Sequence, residues 1–149
     1  MSKTRLRNGI QTFLSEAGEA GCYALCLIDI AEEYSGKHID VLDSLFDAVD
    51  RGYIHYNADD RNDDNNFFVE YPGLFLEMMT GVKWDVRKEA AFYATKDGEY
   101  CVQRWERKKT GNVLSHFQRK DFEPIENSLT AKYGKIASQR ILKPHKKEA

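Results

Sequence analysis

No apolar run in this sequence approaches the roughly 18 residues of a membrane-crossing helix, so a bilayer span is not expected. The opening stretch, "MSKTRLRNGIQTFL", is basic but lacks the apolar core of an export signal. Cysteine is scarce: there are three, none in a CxxC pair, and without an export signal they read as free thiols in a reducing compartment. The cytoplasm is the expected location. An excess of one charge is also missing. Lys and Arg number 22 against 24 Asp and Glu, for a net charge of -2, so nucleic acid is not an expected partner. Neither an internal repeat nor a linker is visible. What is present is 149 residues, 42% of them hydrophobic, enough for one domain with a real core over residues 1–142. The closing "KPHKKEA", residues 143–149, reads as a disordered tail. Charge is uneven along the chain, acidic over 40–70 and basic from Arg104 to Lys147, which reads mainly as solvated surface.

The first half carries helical spacing. Over 22–34, Ala24, Leu25, Leu27, Ile28, Ile30 and Ala31 leave only a narrow polar edge at Asp29, Glu32 and Glu33, the pattern of a helix buried on most sides. Gly36 stops it. Asp40 suits an N-cap for a second helix with Leu42, Leu45, Phe46 and Val49 facing a core and Gly52 at its end. Pro72 suits the first turn of a third, Gly73 to Thr80, closed by Gly81. Between them, "NADDRNDDNN" (57–66) alternates Asp60, Asn62 and Asp64 as a calcium loop does. Asn65 stands where the sharp turn needs Gly, and Tyr71 where a bidentate Glu belongs, so it reads as a polar exposed loop.

The second half changes period near Lys83. "VKWDV", "AAFYATK", "EYCVQRWERK", "NVLSHFQRK" and "KIASQRIL" are rich in β-branched and aromatic residues. Asp97-Gly98 and Thr110-Gly111-Asn112 between them are hairpin turn signals. Helices followed by antiparallel strands predict an α+β domain. Trp84 and Trp105 read as core aromatics of the sheet, Trp105 with the option of lining a cleft.

One position combines two of these signals. Gly18 and Gly21 allow a tight turn into the first helix, and Cys22 stands in that helix's first turn. Unpaired N–H groups there stabilise a thiolate, which predicts a lowered thiol pKa and makes Cys22 a candidate nucleophile. Its bland alternative is a small apolar residue beside Leu25. Cys26, one turn on, and Cys101, alternating inward in a strand, read as packing. A nucleophilic thiol needs a base and a group to orient that base. Of four histidines, His116 alone lies inside a predicted strand. If the chain turns back in two residues around Arg119 and Lys120, Glu123 falls opposite His116 with Cβ atoms about 5 Å apart. A three-residue turn makes Asp121 the partner instead.

"GCYALCL" opening a buried helix, with "SHF" in a later strand and then "FEP", resembles the papain-like cysteine peptidase superfamily. The nearest branch is that of bacteriocin-processing peptidase domains and their uncharacterised bacterial and phage relatives, whose closing part "SLTAKYGKIASQRIL" also resembles. The resemblance implies a papain-like fold, with an N-terminal helical half carrying a buried central helix packed on a C-terminal antiparallel sheet. It implies Cys22 as nucleophile, His116 as base, Glu123 as the third residue and Gln11 as the oxyanion-hole glutamine. Glu123 stands where Asp is usual. Gln11 stands further upstream than the family's glutamine, a gap the doubled "EAG-EAG" before Cys22 accounts for as a small insertion.

The implied activity is acyl transfer on an amide, with a peptide or protein substrate in the cleft between the halves and no cofactor. A metal held by Cys22, Cys26 and His116 is disfavoured without a CxxC or a second ligand pair. Two other classes compete: an inactive papain-like binding or assembly module, and a structural or phage-related α+β protein whose thiol is incidental.

Overall fold

A computed structural model describes residues 21–57, 59–60, 66–109, 112–120 and 135–145, and over 107–109 and 112–116 the backbone. Its first helix, α1, spans Cys22–Ser35, starting where the sequence predicts and running one residue past 34 to meet Gly36. Gly21 is the N-cap and supplies no side chain to the helix's free N–H groups. Gly36 closes the other end at φ 69°, where a left-handed residue is needed, and its N–H returns to the Glu32 carbonyl at 2.9 Å. Helix α2 spans Val41–Asp50, and Asp40 caps it by accepting the Asp43 N–H at 2.8 Å. Helix α3 spans Pro72–Thr80, with proline where a missing N–H costs nothing.

Strands β1 (Trp84–Ala90), β2 (Tyr100–Lys109), β3 (Asn112–Arg119) and β4 (Lys135–Pro144) form one antiparallel sheet in the order β1-β4-β2-β3. The fold is therefore α+β, with three helices and four strands among the described residues. Lys109 pairs with Asn112, so the Thr110-Gly111-Asn112 signal does mark a hairpin. Strand β4 continues two residues past 142, and the His145 N–H bonds to the Lys83 carbonyl at 2.8 Å.

Two expectations fail together. "AAFYATK" is not a strand, and Asp97-Gly98 does not join paired strands, although Gly98 does turn at φ 80°. Strand β4 lies between β1 and β2, so no β1–β2 hairpin exists. Side chains hold the intervening chain as a loop. Gln139 Nε2 donates to the carbonyls of Ala90, Ala91 and Tyr93 at 3.1, 2.9 and 2.8 Å. Arg87 and Tyr93 both bond to the Glu99 carboxylate at 2.8 Å, and Arg87 bonds to the Tyr93 hydroxyl.

The core lies between α1 and the sheet. Leu27 and Ile30 of α1 are fully enclosed, with Leu45, Phe75 and Leu76 from the other helices and Val102 and Leu142 from the sheet. Trp84 joins this core as its sequence predicts, and its Nε1 donates to Thr80 Oγ1 at 2.9 Å. Cys101 is buried as expected, its thiol donating to Gln139 Oε1.

Candidate active site

Strand β3 is an edge of the described sheet. β2 lies along one side, pairing Trp105 with His116 and Arg104 with Phe117. Its other side would present bare backbone N–H and C=O groups, which natural sheets rarely leave uncovered. At Phe117, α1 takes them up. The Phe117 N–H donates to Cys22 Sγ at 3.4 Å, and Cys26 Sγ donates to the Phe117 carbonyl at 3.7 Å. Two residues on, on the same face of the strand, Arg119 donates to Asp29 Oδ2 at 2.8 Å and to Glu33 Oε2 at 2.5 Å. Cys22, Cys26, Asp29 and Glu33 recur at i, i+4, i+7 and i+11, a single stripe of one helix. The polar edge legible in the sequence is the lower half of that stripe.

The ring of Tyr23 stacks on Phe117 at 4.7 Å between centroids, packing the start of α1 against β3. The Tyr23 hydroxyl is buried with no hydrogen-bond partner among the described residues, and burial pushes its pKa up. Arg119 also lies over the Tyr100 ring, 5.8 Å from its centroid.

The electrostatics of Cys22 correct one expectation. Burial raises its pKa, and hydrogen bonds from the Phe117, Tyr23 and Cys22 N–H groups only partly offset that. Helix-terminal N–H groups do act on the sulfur, as the sequence predicts, but desolvation of the thiolate outweighs them. Cys22 is therefore a neutral thiol near pH 7. Cys26 is pushed up to about 12, first by burial and then by Cys22 and Asp29 beside it. The Arg119 charge and backbone N–H pull the other way but are outweighed, which fits packing.

Of the residues singled out in the sequence, the structure brings Cys22 to the peptide that joins His116 to Phe117. Gln11, Asp121 and Glu123 lie outside the described residues. So does the return of the chain over 122–125. Among the described residues no three His, Cys, Asp or Glu side chains gather as metal ligands, and no helix is long and apolar enough to cross a membrane. Two openings of about 410 and 360 Å³ flank Arg119, and neither is lined by Cys22.

Sequence reasoning missed Arg119. Its signal was available from the other side: an acidic pair at i, i+4 on an otherwise apolar helix calls for a cation from a neighbouring element. No protein-family model, no curated protein and no solved structure matches this chain.

Proposed function

We propose that the chain is a papain-like thiol hydrolase that cleaves an amide bond in a peptide or protein substrate. The supporting observation is that Cys22, first residue of a buried helix, puts its sulfur 3.4 Å from the N–H of Phe117, the residue after His116. In this reading the thiol begins protonated, so attack needs a base. His116 takes the Sγ proton as the Sγ–C bond forms, and the carbonyl oxygen becomes an oxyanion held by the Cys22 N–H and Gln11. The imidazolium then protonates the leaving amine as the C–N bond breaks. Water hydrolyses the thioester and returns the thiol. Glu123 orients the imidazole, with Asp121 as the alternative. The substrate occupies the cleft between helices and sheet, and three free thiols fit a cytoplasmic setting.

One observation favours a second reading, an inactive papain-like binding or assembly module of the phage-related kind. The Cys22 thiol is largely buried, accepts a backbone hydrogen bond and has a raised pKa, as a structural cysteine does. Trapping separates the two. An activated peptide ester mixed with the hydrolase leaves an acyl adduct on Cys22, seen by intact mass and peptide mapping, and C22A leaves none. An adduct spread over Cys22, Cys26 and Cys101 in step with their exposure supports the module instead.

A further inference from the structure

The contacts of the two thiols with Phe117 are weak ones, because sulfur is a poor donor and a poor acceptor. They do not by themselves fix a strand edge against a helix. The strong contact on the same stripe is the one at Arg119, whose side chain is 10% exposed and forks onto two carboxylates of consecutive turns. Arg119 and Phe117 share a face of β3 and stand about 7 Å apart along it. The Cys22/Cys26 and Asp29/Glu33 pairs are centred about 10 Å apart along α1. The difference is within the reach of an arginine side chain, so the ion pair and the thiol contacts fit one alignment of strand on helix.

We propose that Arg119, gripped by Asp29 and Glu33, is a positioning residue for Cys22: it sets how β3 sits along α1 and so holds the Phe117 N–H on the sulfur. Its bearing on catalysis rests on the hydrolase reading; its effect on the thiol does not.

The exposures make the test clean. Asp29 and Glu33 are 44% and 55% exposed, so removing the arginine leaves these two carboxylates in contact with solvent. Arg119→Met keeps the apolar stem over Tyr100 while deleting the fork. In that variant the Phe117 amide should exchange with solvent about tenfold faster, measured by NMR. The pH midpoint of Cys22 alkylation should move up by about 0.5 to 1 unit, the worth of one lost hydrogen bond to the thiolate. Arg119→Lys, which keeps the charge but not the fork, should fall between, and Glu33→Gln should move both readouts the same way by less. A core variant matched in stability, such as Ile54→Val, should move neither.

A midpoint that stays put or falls in Arg119→Met overturns the proposal, because the arginine would then serve burial alone. So does an equal response in Ile54→Val. Should Arg119→Met lose its fold, Arg119→Lys and Glu33→Gln carry the same comparison. The exchange and alkylation readouts need no hydrolase activity: both changes in Arg119→Met, together with a parent protein that forms no acyl adduct on Cys22, leave the inference standing and overturn the hydrolase reading.

Discussion

The backbone N–H of Phe117 points at Cys22 Sγ, 3.4 Å away, while the carbonyl of the same residue receives Cys26. One residue thus uses both of its backbone polar groups on thiols of consecutive helical turns. The arrangement seals a sheet edge and, at the same time, gives a helix-terminal sulfur a donor that favours its anion. Burial works against that donor and wins.

The pH dependence of alkylation should display this contest. With its pKa raised, Cys22 should react with iodoacetamide mainly on the alkaline side of the ordinary value of 9.0. Cys26, pushed up to about 12, should lag it throughout. Stability follows the same sign. A thiol whose folded pKa lies above its unfolded one contributes stability that is complete below the unfolded value and is lost as pH rises through the folded value. Urea midpoints should therefore fall between about pH 9 and 12, and Cys26→Val should fall less steeply. Equal slopes in both proteins would count against the burial of Cys26.

Gln139 is 2% exposed and holds three loop carbonyls while accepting the Cys101 thiol. Replacing it with Leu strands those groups at a buried site, each worth about 1–3 kcal/mol unless water reaches it. The expected loss exceeds about 2 kcal/mol in urea unfolding. Phe92→Ser in the same loop, at a side chain 91% exposed, should stay within about 0.5 kcal/mol of the parent. A small effect of Gln139→Leu would mean the loop is held by the Arg87–Tyr93–Glu99 cluster alone.

That loop also marks where the sequence stopped being legible. The α1 boundaries, the Asp40 cap, the Pro72 start and the closing glycines are local signals, each set by neighbours within a turn. The structure places them within a residue or two of where the sequence does. "AAFYATK" looks like a strand from composition, yet its fate depends on Gln139, far along the chain, and on β4 entering the sheet between β1 and β2. Strand order is a long-range choice that period and turn signals do not encode. The site divides in the same way. A thiol at a helix start and a histidine in a strand could be read off, because each is a local fact. The contact of Cys22 with the Phe117 N–H and the ion pair of Arg119 with Asp29 and Glu33 join residues far apart in the chain.

Glu99 should govern part of the acid response. Its side chain is 5% exposed, which pushes its pKa up, but the Lys96 N–H, Arg87 and Tyr93 hydrogen bonds together bring it down to about 2. A depressed carboxylate contributes stability above its unfolded pKa and loses it as pH falls through the folded value. The loss should run from about pH 4.5 towards 2. Glu99→Gln should be less stable than the parent at pH 7 and should converge with it near pH 2, followed by thermal unfolding. A constant gap across that range would mean the carboxylate's charge contributes nothing there.

The hydrolase reading makes its sharpest prediction about the kinetics of Cys22. A neutral, half-buried thiol can act below pH 8 only if a base shares its proton, so the alkylation profile should carry a limb near the imidazole range of about 6.5 in addition to the alkaline one. His116→Ala should erase the lower limb and leave the upper one. Glu123→Gln, which keeps shape and removes charge, should shift the lower limb to more acid pH while the fold survives, because the carboxylate favours the imidazolium. Asp121→Asn should leave it in place. The reverse pattern in the two carboxylate variants would give Asp121 the orienting role. A parent protein with only the alkaline limb, unchanged in His116→Ala, would leave Cys22 as a structural thiol and make the binding-module reading the better account.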